Sequence, residues 1–189
     1  MLETLSFIGE RLNNKRITWS VGGSLLLKFH GLVDTPNDID ILVDEDHINS
    51  AKDTLSQIGK PEEAIHKEPF RTRFFSTYKI GSFNVDVMGG FAVKHDAGVY
   101  RLPFRKSSIV AYENINGVNI PLSSLEDWYI LYWLIPGKQE KAALLENHFK
   151  INGINCPSLL EKALERPLPR EIKDRAKKLL SQRGEMGWK

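Results

Sequence analysis

A single cysteine, Cys156, stands in 189 residues, so no disulfide can form within the chain. That argues against a disulfide-stapled secreted domain, and a reducing cytoplasm is the expected setting. No stretch approaches the roughly 20 consecutive apolar residues of a membrane-spanning helix, so no membrane partner is expected. The opening MLETLSFIGERLNNKR carries early acids and no long apolar centre, unlike a secretory leader. Charge of one sign is also scarce. Lys and Arg total 26 against 24 Asp and Glu, a net of +2, too little to argue for a nucleic-acid partner. Repeats and low-complexity tracts are lacking. The histidines, His30, His47, His66, His95 and His148, show no metal-ligand spacing with one another or with Cys156.

What is present is ordinary globular material, 41% hydrophobic and 26% charged. Leu2, Leu5, Ile8 and Leu12 recur at helical spacing and predict a helix over 2–14. RITWSVGG reads as a strand ending at glycines, and SLLLKFHG as a helix closing at Gly31. DIDILVD is a strand with Ile39, Ile41 and Val43 on one face and Asp38 and Asp40 on the other. DHINSAKDTLSQIG predicts a helix ending at Gly59. Residues 70–80 and 83–88 predict a hairpin around Gly81-Ser82, with Val85 and Val87 flanking Asp86. A polar, turn-rich middle follows, then a hairpin turning at Asn116-Gly117. Ser123 and Glu126 fit a capping box opening the helix of SSLEDWYILYWLIPG, with further helices over 138–183. The expected fold class is α+β: a small mixed sheet with helices on one side, residues 1–122, then a helical C-terminal region, residues 123–189.

Three features of the first half carry chemistry. Residues i and i+2 of a strand point the same way, about 6.6 Å apart, so Asp38 and Asp40 can converge on one divalent cation. Carboxylate oxygens are hard ligands that suit Mg²⁺ or Mn²⁺ better than zinc. Gly22-Gly23-Ser24, at a strand-to-helix turn, lets backbone approach a phosphate closely. Asp86 is a third carboxylate borne on a strand. If its strand neighbours the first, three carboxylates line one cleft, where two metal ions about 3.5–4 Å apart could act. Each feature alone has a plainer reading: solvated aspartates, a tight turn, an exposed strand residue.

Together, VGGS, a thirteen-residue spacer, DIDI and then VDV form a pattern that resembles the polymerase-β-type nucleotidyltransferase superfamily. The resemblance covers roughly residues 15 to 90. IPLSSLEDWYILYWL also resembles the helix that follows the core in small single-domain members. In layout the chain looks most like lincosamide nucleotidyltransferases and the nucleotidyltransferase toxins of abortive-infection systems. The resemblance implies that Gly22, Gly23 and Ser24 hold the β- and γ-phosphates of an NTP. It implies that Asp38, Asp40 and Asp86 are catalytic and bind Mg²⁺ or Mn²⁺, Asp86 also helping to deprotonate an acceptor hydroxyl. The implied reaction moves a nucleoside monophosphate, AMP above all, to that hydroxyl and releases pyrophosphate. A small-molecule acceptor is favoured over nucleic acid. The acceptor's identity and the choice between monomer and homodimer stay open. So do two other readings, a non-catalytic nucleotide-binding module and a toxin-type enzyme acting on tRNA or protein.

Weaker signals surround these. Arg71 and Arg73 alternate in FRTRFF and could reach a triphosphate. Lys141 is a candidate phosphate contact after the Pro136-Gly137 break, although Ala142 follows it where small members carry Lys-Asp. His95-Asp96 could touch an acceptor. Trp128, Tyr129, Tyr132 and Trp133 share one helix at spacing that suits packing more than base stacking. The acidic front, Asp44, Glu45, Asp46, Glu62 and Glu63, could suit a cationic acceptor. The charged tail from Glu165 to Lys189 reads as an exposed amphipathic surface.

Overall fold

The computed structural model describes residues 1–62 and 67–182. In chain order the elements are Leu2–Asn14 (α1), Trp19–Val21 (β1), Gly23–Phe29 (α2), Ile39–Val43 (β2), Ile48–Ser56 (α3), Lys60–Glu62 (β3), Phe74–Ile80 (β4) and Phe83–Gly89 (β5). There follow Ala92–His95 (β6), Gly98–Arg101 (β7), Ala111–Ile115 (β8), Val118–Leu122 (β9), Leu125–Leu134 (α4), Gln139–Asn152 (α5), Pro157–Leu164 (α6) and Arg170–Gln182 (α7). The class is α+β, with a mixed sheet and C-terminal helices, as the sequence pattern anticipates. Two compact units result. One comprises Met1–Lys67, Thr72–Ala92 and Arg101–Ser124; the other comprises Glu68–Arg71, Val93–Tyr100 and Leu125–Lys189.

The first unit is built on a seven-stranded sheet of order β3-β4-β5-β2-β1-β9-β8. Pairing is parallel between β2 and β5 and between β1 and β9, and antiparallel elsewhere. Alternation sorts the faces. Ile39, Ile41, Val43, Val85 and Val87 are fully buried, while Asp40 and Asp86 point to the opposite face and are half-buried. Helices α1 and α3 lie against each other, α1 resting on β8 and β9 and α3 on β4. Leu5, Ile8 and Leu12 of the predicted stripe of α1 are fully buried, while Leu2 at its start is exposed. Asn116 and Gly117, at φ 53° and 82°, make the two-residue turn between β8 and β9, which needs positive φ at both positions.

In the second unit α4 is buried nearly all round: its residues 125–132 and Leu134 are all buried. Such a helix can only be a core helix here. Ala142, Leu145 and Phe149 of α5, Leu160 and Ala163 of α6, and Ile172, Ala176 and Leu179 of α7 complete that core. Tyr129 contacts Phe149 and Trp133 edge-on, and Trp128 contacts Tyr132 at 5.4 Å between centroids. The aromatic cluster is therefore packing. Among the described residues, no helix is long and apolar enough to cross a membrane.

Four local expectations are corrected. The polar middle is not only turn: β6 and β7 form a two-stranded ladder, and Phe70 bridges Val93. The first hairpin strand begins at Phe74, so Arg71 and Arg73 precede it and do not share a strand face. The strand β3, unsuspected in KPE, extends the sheet edge. Helix α4 starts at Leu125, one residue later than a Ser123 cap requires. The Ser123 hydroxyl donates to the Val21 carbonyl at 2.7 Å, and Glu126 accepts from the Cys156 N–H at 2.8 Å.

Candidate active site

The glycine turn and the first aspartates are one structure. The Gly22 N–H donates to the Asp40 carbonyl at 3.0 Å, prolonging the β1–β2 ladder by one bond. The chain then breaks out into α2 through Gly23, at φ +59°. A side chain at this position would be strained by that φ alone. It would also have nowhere to go. A Cβ on Gly23 would stand 2.9 Å from Asp40 Cβ and overlap the Asp40 carboxylate. Gly23 thus leaves the space that the Asp40 carboxylate occupies. Ser24, in the first turn of α2, is buried at 6% exposure, and Leu25, Leu26 and Leu27 behind it are fully buried. They anchor the turn to the unit's core.

Parallel pairing of β2 with β5 sets Asp40 directly beside Asp86. Asp38, just before β2, joins them. One carboxylate oxygen from each of the three lies within 4.8 Å of the others, and all three residues are half-buried. Among the described residues they form the one group of three His, Cys, Asp or Glu side chains near enough to share an ion. The polar row continues outward: Asp86 pairs with Thr77 on β4, and Thr77 with Glu62 on β3. The Thr77 hydroxyl donates to Asp86 Oδ1 at 2.6 Å.

The Asp86 carboxyl is held above its ordinary range. Burial is the largest cause; the Thr77 hydrogen bond pulls the other way, and the negative charges of Asp38 and Glu62 push it up further. Carboxylates crowded in a half-buried cleft favour either a proton or a cation between them. The donor set is all oxygen, which fits Mg²⁺ or Mn²⁺ and not a thiolate- or imidazole-seeking metal.

The remaining sequence candidates have partners of their own. Arg71 pairs with Glu68 at 2.5 Å, and Arg73 with Glu45 at 2.6 Å. Asp44 accepts from Arg105 at 2.5 Å, so two acids of the acidic front are engaged in ion pairs. Lys141 lies on α5 in the second unit, its ammonium 5.6 Å from the Tyr132 ring centroid, within cation–π range. His47 accepts from the Thr18 N–H and His95 from the Ala97 N–H, both through Nδ1. Burial holds His95 below its ordinary range, against the opposing pull of the Pro167 backbone and Asp96. His66, Glu63 and the tail residues 183–189 lie outside the described residues. Sequence reasoning passed over Thr77. A hydroxyl in a strand has no sequence signature, and only the β4–β5 register shows its place.

No family model and no curated protein sequence matches the chain. Solved structures do. A Thermotoga maritima protein presumed to be a nucleotidyltransferase aligns with 80% of this chain and 93% of its own, at 26% identity and TM-score 0.60. The solution structure of the antibiotic-resistance factor ANT(2'')-Ia aligns with 98% and 94%, at 13% identity and TM-score 0.55. A crystal structure of ANT(2'')-Ia with adenylyl-2''-tobramycin aligns with 93% and 94%, at 14% identity and TM-score 0.50. The fold is that of the nucleotidyltransferases, as the sequence resemblance anticipates. Fold and the 26% identity together support enzyme activity of this type.

Proposed function

We propose that the chain is a Mg²⁺- or Mn²⁺-dependent nucleotidyltransferase. It transfers a nucleoside monophosphate, AMP foremost, from an NTP to the hydroxyl of an acceptor. The observation that carries this reading is the convergence of Asp38, Asp40 and Asp86 within 4.8 Å, beside a glycine turn whose missing side chain makes room for Asp40. Asp38, Asp40 and Asp86 would hold the divalent cations. A cation bound there supplies positive charge against the triphosphate and the developing charge at the α-phosphorus. Gly22, Gly23 and Ser24 would receive the β- and γ-phosphates. Asp86, whose carboxylate burial makes more basic than usual, would help to take the proton of the acceptor hydroxyl. The acceptor oxygen bonds to the α-phosphorus, the bond from that phosphorus to the bridging oxygen breaks, and pyrophosphate leaves. Positioning and charge placement do most of the work in such a transfer.

A small-molecule acceptor is supported by ANT(2'')-Ia, the structural neighbour solved with an adenylylated aminoglycoside. The free thiol of Cys156 fits a reducing cytoplasm as the place of action. The test needs no acceptor. Calorimetric binding of a non-hydrolysable ATP analogue is measured with and without Mg²⁺, for wild type and for Asp38→Asn/Asp40→Asn. Metal-dependent binding that the double variant loses is expected. Wild type that binds no ATP, GTP, CTP or UTP analogue in the presence of Mg²⁺ would sink the proposal.

A further inference from the structure

We propose that Thr77 is a positioning residue for Asp86. Its hydroxyl bonds Oδ1 and so fixes the orientation of the carboxylate towards Asp38 and Asp40. The inference rests on the reading of Asp86 as a metal ligand. Three observations carry it. The β4–β5 register places Thr77 directly opposite Asp86, at the same level of the sheet as Asp40. The Thr77 Oγ1 to Asp86 Oδ1 hydrogen bond is 2.6 Å, the length of a charge-assisted bond from a hydroxyl to a carboxylate. The row across the four strands otherwise holds only acids, Asp40, Asp86 and Glu62, so Thr77 is its one hydroxyl donor.

The residue type matters. A Lys or Arg opposite Asp86 would pair with it and cancel charge that a bound cation needs. A neutral hydroxyl orients the carboxylate and leaves its charge in place. Threonine is also branched at Cβ and sits in a strand, so few χ1 rotamers are open to it. The donor therefore stays aimed at Asp86. Groups that hydrogen-bond a metal ligand from behind commonly govern metal affinity by about 10- to 100-fold.

The experiment titrates Mn²⁺ into the full chain, followed by electron paramagnetic resonance, for wild type, Thr77→Val, Thr77→Ser and Asp86→Asn. Thermal melting of each metal-free protein is recorded in parallel. We expect Thr77→Val to weaken Mn²⁺ binding by about tenfold or more, with its melting unchanged. Thr77→Ser should bind close to wild type. Thr77→Val that binds Mn²⁺ like wild type, while Asp86→Asn does not, overturns the role of Thr77 and leaves the functional reading standing. Weak binding by both Thr77 variants with lowered melting shows a merely structural residue and also overturns it. Asp86→Asn that binds like wild type removes Asp86 as a ligand, and the role of Thr77 goes with it.

Discussion

Replacing Gly23 with alanine perturbs the candidate site at the point where backbone and carboxylate meet. Two costs arise. The left-handed φ of +59° disfavours any residue with a Cβ, by about 1–2 kcal/mol. The added methyl also overlaps the Asp40 carboxylate, and forcing an extra carbon into filled space costs about 1–3 kcal/mol. The sum is roughly 2–5 kcal/mol, a large part of the 5–15 kcal/mol that holds most domains. Gly31 provides the control in the same unit. It too has positive φ, +68°, but a Cβ there meets nothing within 4 Å. Gly31→Ala should therefore show only the conformational part, about 1–2 kcal/mol. The assay is urea unfolding of both variants without metal, compared at equal m-values. The difference between the two, about 1–3 kcal/mol, is the overlap with Asp40. Gly23→Ala should also lose Mn²⁺ affinity by about tenfold or more, since Asp40 must move, while Gly31→Ala should keep it. Equal destabilisation by the two variants, or wild-type Mn²⁺ binding by Gly23→Ala, would refute the reasoning.

Asp86→Asn should stabilise the metal-free protein at neutral pH while abolishing its Mn²⁺ site. The Asp86 carboxyl sits above its ordinary value of 3.8, chiefly because it is buried. The native state therefore binds more protons than the unfolded state, and stability falls as pH rises through the raised pKa. The gain from the variant, about 0.5–2 kcal/mol, should appear in melting curves only above that range and vanish in stronger acid. Glu146→Gln should cost the second unit about 1–2 kcal/mol, because Glu146 accepts from Tyr129, Lys150 and Arg175. Burial would raise the Glu146 carboxyl, but its partners outweigh burial and hold it low. The wild-type advantage over the variant should therefore be lost as pH falls through that depressed pKa. Trp128→Ala should cost about 3–5 kcal/mol in denaturant unfolding without changing which nucleotide analogue binds best. A changed base preference would contradict its place in the core.

Much of this site was legible because its chemistry is local. Gly22-Gly23 and Asp38-x-Asp40 sit within one strand–helix–strand segment, and alternation alone put Asp38 and Asp40 opposite Ile39 and Ile41. Asp86 stood out by being flanked with valines. Its pairing with Asp40 was only a possibility, since which strand neighbours which depends on non-local packing. The close approach of Gly23 to Asp40 and the Thr77 donor lay out of reach for the same reason. The strands β6 and β7 were missed because AVKH and GVYR are four residues each and rich in charge and glycine, with little periodicity to read. The bond from the Ser123 hydroxyl to the buried Val21 carbonyl, across 102 positions of chain, has no local spacing to reveal it.

The parallel pairing of β2 with β5 also bears on how the molecule comes into being. Parallel neighbours cannot be joined by a tight turn, so this ladder closes a long loop of chain. Such contacts are formed slowly, after local structure has paid the entropy of bringing distant segments together. The β1–β2 segment with its glycine turn can assemble early, from residues close in sequence. Asp86 reaches Asp40 only when β5 docks. Before β5 docks, the segment brings two carboxylates together and not three. The full cluster appears when β5 pairs with β2, so any ion that needs all three ligands reports that pairing, and by mass action favours it.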